Sequence, residues 1–224
     1  GLNEVQVRQT DAAGNVSAAG SLTFTFDTDA DIGDDLAVSL TDSLISDAEK
    51  ASVAFDVLGL DVDATATVTF TDINGTTVVV PGAGGFADLS SLADGAIIVS
   101  VSATDTAGNT TAGTGAAITL DTSADADANL AVSFSDILIN AAERTAVAFE
   151  VTGLDGDALA TVTFTDINGT TVVVPGSAGT ADLTGLVDGA IIVRVSATDT
   201  AGNTTAGTGA AITLDTSADA DANL

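Results

Sequence analysis

Residues 101–130 recur letter for letter as residues 195–224, and the word TVTFTDINGTTVVVPG stands at both 67–82 and 161–176. Asp27, Asp121 and Asp215 fall 94 residues apart (121 − 27 and 215 − 121). The opening follows the same register: Val5, Asp11, Gly14 and Asn15 align with Val99, Asp105, Gly108 and Asn109. A period of this length encloses a core of its own, unlike the turn of a solenoid. The register predicts that 1–27 are the closing strands of a preceding module and that 28–121 and 122–215 are whole modules. Residues 216–224 then start the next joint, and the chain reads as a window of a longer array.

Inside one copy the apolar residues recur every second position, the period of a half-buried strand. In the second copy Leu130, Val132 and Phe134 alternate with small polar residues (strand A), as do Val147, Phe149 and Val151 (B) and Val162 and Phe164 (C). Asp166, Ile167, Asn168 and Gly169 form a hairpin turn, since Asn-Gly favours the positive φ that tight hairpins need. A strand over 171–174 stops at Pro175-Gly176, and 181–183 is a short strand. Asp188-Gly189 leads into Ile191, Val193, Val195 and Ala197 (F), and Ile212 and Leu214 close the last strand (G). The predicted fold is all-β: tandem immunoglobulin-like sandwiches of about seven strands each, arranged end to end. Residues 140–143 are the one helical hint, long enough only for a turn.

Charge narrows the function. Four basic residues face 32 acidic ones, a net charge of −28. Nucleic acid and anionic membranes need Lys and Arg, so neither is expected as a partner. With no Cys and no His, disulfides, thiolate sites and the usual nucleophile–base pairs are unavailable, and an enzyme is not expected. No apolar run is long enough to span a bilayer. Phe is the only aromatic residue; with so thin a core, a ligand that binds only the folded module adds usefully to its stability.

The acidic residues gather at the joints. In an immunoglobulin-like sandwich the start of strand A, the B–C loop and the F–G loop share one pole. In the second copy these segments carry Asp121, Asp125 and Asp127, then Asp155 and Asp157, then Asp199 and Asn203. In the first they carry Asp27, Asp29 and Asp31 (with Asp34 and Asp35), then Asp61 and Asp63, then Asp105 and Asn109. Asp215 and Asp219 repeat Asp121 and Asp125 at the third joint. Asp47, Glu49 and Glu143 lie at the opposite pole, in reach of the following joint. Oxygen donors without nitrogen or sulfur select Ca²⁺ or Mg²⁺, and an irregular site built from three loops suits Ca²⁺. Asp166 and Asp188 read instead as caps of their own turns. Asp199 and Asn203 fit either turn-shaping or metal binding.

With VSATDTAGNTTAGTGAAITLDT at 195–216 and ILINAAE at 137–143, the chain resembles the immunoglobulin-like repeats of giant bacterial surface adhesins. These are the biofilm-associated, LapA-like RTX adhesins and the extender repeats of an ice-binding adhesin. The resemblance covers the whole chain. It implies an extracellular, cell-anchored protein whose tandem repeats project a distal binding domain, with calcium at the joints. Its motif falls on Asp105, Asn109 and Asp121 in the first copy and on Asp199, Asn203 and Asp215 in the second. After Asp-Thr, this chain has SADADA where relatives often carry a proline-containing joint.

The expected function is therefore mechanical: an extender whose partners are calcium ions and neighbouring modules of the same chain. Two alternatives stay open. One is a subunit of an extracellular fibre or sheath, completed by strand addition between identical chains. The other is a glycan- or protein-binding module, disfavoured by the lack of Trp and Tyr.

Overall fold

The computed structural model describes residues 1–218. It is all-β: among those residues the only helical turns are the 3-10 turns Gly82–Gly84 and Gly176–Ala178. The chain divides into two compact units. The first comprises Gly1–Ser43 and Ala51–Thr119; the second comprises Leu44–Lys50 and the chain from Leu120 onward.

The first unit opens with β1 (Leu2–Val7) and β2 (Gly20–Thr25), an antiparallel hairpin that sets Val5 opposite Leu22. Next come β3 (Ala37–Leu40) and β4 (Leu44–Ile45), the latter counted with the second unit. The series continues with β5 (Val53–Leu58), β6 (Ala64–Thr71), β7 (Thr77–Pro81), β8 (Phe86–Ala87), β9 (Gly95–Asp105), β10 (Thr110–Ala112) and β11 (Ala116–Leu120). Strands β11, β9, β6 and β7 lie side by side with β10 on β9, and β3, β5 and β8 form the other layer. Alternation decides the inner face: Ile97, Val99, Val101 and Ala103 of β9 are buried while their neighbours face out. Phe70, fully buried, meets Phe55 edge-on at 5.9 Å between centroids.

The second unit repeats the plan with β12 (Ala131–Ser133), β13 (Leu138–Ile139), β14 (Val147–Ala148), β15 (Glu150–Thr152), β16 (Leu159–Thr165), β17 (Thr171–Pro175), β18 (Thr180–Ala181), β19 (Gly189–Thr198), β20 (Thr204–Ala206) and β21 (Ala210–Leu214). One sheet runs β13-β21-β19-β16-β17, with β20 on β19; β12 pairs β15 and β14 pairs β18 in the other layer. Phe164 sits between Phe134 and Phe149, edge-on to both at 6.0 and 5.9 Å.

Strand B keeps its alternation through Phe149, whose N–H extends the β14–β18 pairing onto Gly179 O (3.0 Å), as Phe55 N–H does with Gly85 O in the first unit. Two details differ from the predicted strands. The short strand is Thr180–Ala181, not 181–183, because the N–H of Leu183 goes to Arg144 O (2.8 Å). The short β13 runs parallel to β21, with Thr213 N–H on Ile137 O (2.7 Å). Two residues are too few to show a period.

Candidate cation-binding pole

The joint before β12 is built from side chains that cap its own backbone. Ser123 N–H points at Asp121 Oδ1 (3.4 Å) and Asp125 N–H at Ser123 Oγ (3.3 Å). Asp125 then folds forward: Oδ1 accepts from Asn129 N–H (3.2 Å) and Oδ2 from Leu130 N–H (3.1 Å). This wraps the chain around one carboxylate and forces Ala128 to φ 55°, a left-handed conformation that L-residues adopt with strain.

Gly153 brings the B–C loop against this turn. Its φ is 71°, and a Cβ there would stand 1.9 Å from Asn129 Oδ1 and 2.3 Å from Asn129 O. Only glycine fits. Two residues on, Asp155 Oδ2 accepts the N–H of Ala126 at 2.9 Å. Asn129 Nδ2 meanwhile donates to Asp127 Oδ2 at 2.6 Å. The outcome is a group of three carboxylates, Asp125, Asp127 and Asp155, each offering an oxygen within 4.8 Å of the others. Two oxygens on opposite sides of one Ca²⁺, at 2.3–2.6 Å each, stand about 4.6–5.2 Å apart. The half-buried pair Asp125 and Asp155 with the exposed Asp127 therefore has the span and the hard-donor chemistry for that ion.

The first joint repeats the frame with a change of residues. Asp31, buried, accepts from Asp35 N–H (3.3 Å) and Leu36 N–H (3.0 Å), and Asp61 accepts from Ile32 N–H (2.9 Å). Asp34 takes the left-handed turn at φ 50°. Gly33 stands where the second joint has Asp127, and a Cβ on it would meet Asp35 Oδ1 at 2.6 Å. Asp35 thus lays its carboxylate over the position that lacks one. Asp29 N–H points at Asp27 Oδ1 (3.4 Å) and Asp31 N–H at Asp29 Oδ1 (3.2 Å). Among the described residues, the three-carboxylate grouping occurs at the second joint alone.

The remaining predicted ligands are placed differently. Asp63 and Asp157 are exposed beside Asp61 and Asp155. Asp105 and Asn109 close on each other, with Asn109 N–H on Asp105 Oδ1 (2.8 Å) and Nδ2 on Oδ2 (2.6 Å); the Asn109 side chain foremost holds the Asp105 carboxyl below its ordinary pKa. Asn203 makes the same pair of bonds to Asp199, N–H on Oδ1 at 2.8 Å and Nδ2 on Oδ2 at 2.7 Å. Asn203 reaches further: Nδ2 also donates to the Asp121 carbonyl (2.8 Å), and Oδ1 accepts the N–H of Asp47 (2.8 Å), all within the second unit. Asp215 accepts from Ser217 N–H (3.4 Å). Asp219 lies outside the described residues.

Asp166 caps its turn, as expected, through Asn168 N–H (2.9 Å) and Thr170 N–H (2.8 Å), and ties it to Val187 N–H (3.1 Å). Burial pushes its pKa up, but these three donors outweigh it and the carboxyl stays below its ordinary value. Asp72 is the same device, held low foremost by Ala93 N–H. Asp188 accepts from both Thr216 N–H (3.0 Å) and Thr216 Oγ1 (2.9 Å). Asp188 thus bonds a residue 28 positions on, beyond the turn it is predicted to cap, and the outward bonds of Asn203 likewise join residues with no local spacing to betray them.

Fold and pole together define a class: an all-β protein of tandem sandwich repeats with carboxylate-rich joints. No protein-family model matches the chain, and no curated protein sequence matches it. Among solved structures it is similar to a tetra-tandem repeat in the extending region of a large adhesion protein: 27% identity over 96% of this chain, TM-score 0.38. The chain spans 57% of that structure's length. It is also similar to a 1.5-MDa bacterial ice-binding adhesin, in a structure concerned with host cell surface retention: 29% identity, 96% of this chain, 75% of that one, TM-score 0.48. A third similar structure is the BSP domain of a biofilm-associated protein: 17% identity, 81% of this chain, 30% of that one, TM-score 0.30. No helix among the described residues is long and apolar enough to cross a membrane.

Proposed function

We propose that this chain is a non-catalytic extender segment of a large secreted bacterial surface adhesin, in which Ca²⁺ bound at the joints stiffens the array for cell adhesion and biofilm growth. The observation that carries it is the convergence of Asp125, Asp127 and Asp155 within 4.8 Å, in a chain of net charge −28. Like charges this close repel, and a divalent cation turns that repulsion into attraction. In this reading the modules are 28–121 and 122–215, flanked by the closing strands 1–27 and the joint 216–224. Asp31 and Asp61 are the counterpart ligands at the first joint. Thermal unfolding and solution scattering with Ca²⁺ and with chelator test it: calcium is expected to raise the melting temperature and lengthen the particle. Identical curves in both conditions would remove the mechanism.

A further inference from the structure

We propose that the open edge of β17 pairs with the β17 of a second copy of this chain, antiparallel and about a two-fold axis through Val173. This goes beyond the extender reading and needs no calcium. Strand β17 ends the sheet β13-β21-β19-β16-β17, and among the described residues no strand pairs with its far side. The phase of its ladder follows from the hairpin turn. Asp166 N–H bonds Thr170 O at 3.0 Å, and in an antiparallel pair the bonded positions alternate. Val172 opposite Phe164 and Val174 opposite Val162 therefore bond to β16. Thr171, Val173 and Pro175 turn their backbone groups away from it. The edge thus presents two N–H donors, Thr171 and Val173, and three carbonyl acceptors, since proline has no N–H.

That set is self-complementary. With Val173 opposite Val173 of the second copy, each donates to the other's carbonyl. Thr171 then falls opposite Pro175, which only has to accept, and both outward donors of each copy are satisfied. Charge also selects the occupant. Residues 158–165 and 167–181 carry no charge in a chain of net −28, so copies that repel elsewhere can approach here. The side chains beside the edge are apolar. Val173 is 58% and Leu159 80% exposed, and with Leu154, Val174 and Pro175 they line a cleft of about 450 Å³. The two-fold axis brings Thr171 of the second copy to Pro175, at the rim of that cleft, and sets Val173 against Val173 as a cross-strand pair. The first unit has the same strand, β7, but Thr65 stands where the second has Leu159. Such a contact is isologous and closes at two copies. It is smaller than a stable interface and works against the net charge, so its Kd is about 1 mM.

Sedimentation equilibrium from about 10 µM to about 2 mM, in chelator and with salt added to screen the charge, tests it. The average mass should rise toward that of a dimer, and the Thr171 and Val173 amides should gain protection from hydrogen exchange over the same range. Val173→Lys should leave the chain monomeric. That side chain is exposed, so the fold tolerates the change, and added positive charge by itself favours association of an acidic chain. Leu159→Thr should weaken the dimer about fivefold, and Val79→Lys, at the matching position of β7, should leave it intact. A chain still monomeric at about 2 mM, or a dimer that survives Val173→Lys, would overturn the proposal. Because calcium is absent throughout, either result leaves the extender reading standing.

Discussion

Asp155 Oδ2 accepts the backbone N–H of Ala126 at 2.9 Å. The bond pins the B–C loop to the joint at the residue next to Asp125, and Asp61 and Ile32 repeat it at 2.9 Å in the first copy. Backbone donors thus place Asp125 and Asp155, and the Asn129 side-chain amide places Asp127. Under the proposed calcium reading, such a pre-assembled group would lose less ordering entropy on binding than one that must collect its ligands.

Gly153→Ala tests how that gathering is achieved. The substitution meets both a positive φ of 71° and a contact of 1.9 Å with Asn129 Oδ1. A left-handed alanine costs about 1–2 kcal/mol and overpacking about 1–3 kcal/mol more. Denaturant unfolding should show a loss of about 2–5 kcal/mol. Gly156→Ala, in the same loop with nothing within 4 Å, should stay within about 0.5 kcal/mol.

Ala128→Gly should have the opposite sign. Ala128 holds φ 55°, so glycine relieves about 1–2 kcal/mol of strain against about 0.5–1 kcal/mol of added unfolded-state entropy. The melting temperature should rise by a few degrees, read by calorimetry. A fall would mean that the turn at Asp125 is not strained as described.

Acid should destabilise both units. Asp72, Asp105, Asp166 and Asp182 have carboxyls held below the ordinary value of 3.8. A depressed folded pKa contributes stability that is present above the unfolded value and is lost as pH falls through the folded one. Melting temperature should therefore hold from neutral pH to about 4 and drop below it. Relief of the general negative charge acts the other way, so the measurement belongs at high salt, where that repulsion is screened. Asn109→Ala should flatten the acid limb, because the Asn109 side chain is the main cause of the Asp105 shift.

Much of the sandwich was legible because period-two alternation is a local signal. Alternation places Ile191, Val193, Val195 and Ala197 on one inward face, and all four are buried. Val147 and Phe149 likewise face inward, but their pairing with the strand at 180–181 is legible only in the fold, since Gly179, which accepts the Phe149 N–H, lies thirty positions away. At the pole, the neighbourhood of Asp125 and Asp155 followed from sandwich topology. The exchange of Gly33 and Asp35 for Asp127 and Asn129 did not, because a carboxylate moved two residues along the chain looks like a loss until the loop is folded back. The pairing of Asn203 with Asp47, 156 residues away, was hidden for the same reason: tertiary hydrogen bonds have no period.

Calorimetric titration of Ca²⁺ into the metal-free chain, beside the exposed-residue variant Asp127→Asn, tests the central claim most directly. The account predicts a saturable binding event that Asp127→Asn weakens at least tenfold, with a gain in stability of about 2.7 kcal/mol at a hundredfold excess over Kd. No heat of binding at millimolar calcium, or an isotherm indifferent to Asp127→Asn, would contradict it.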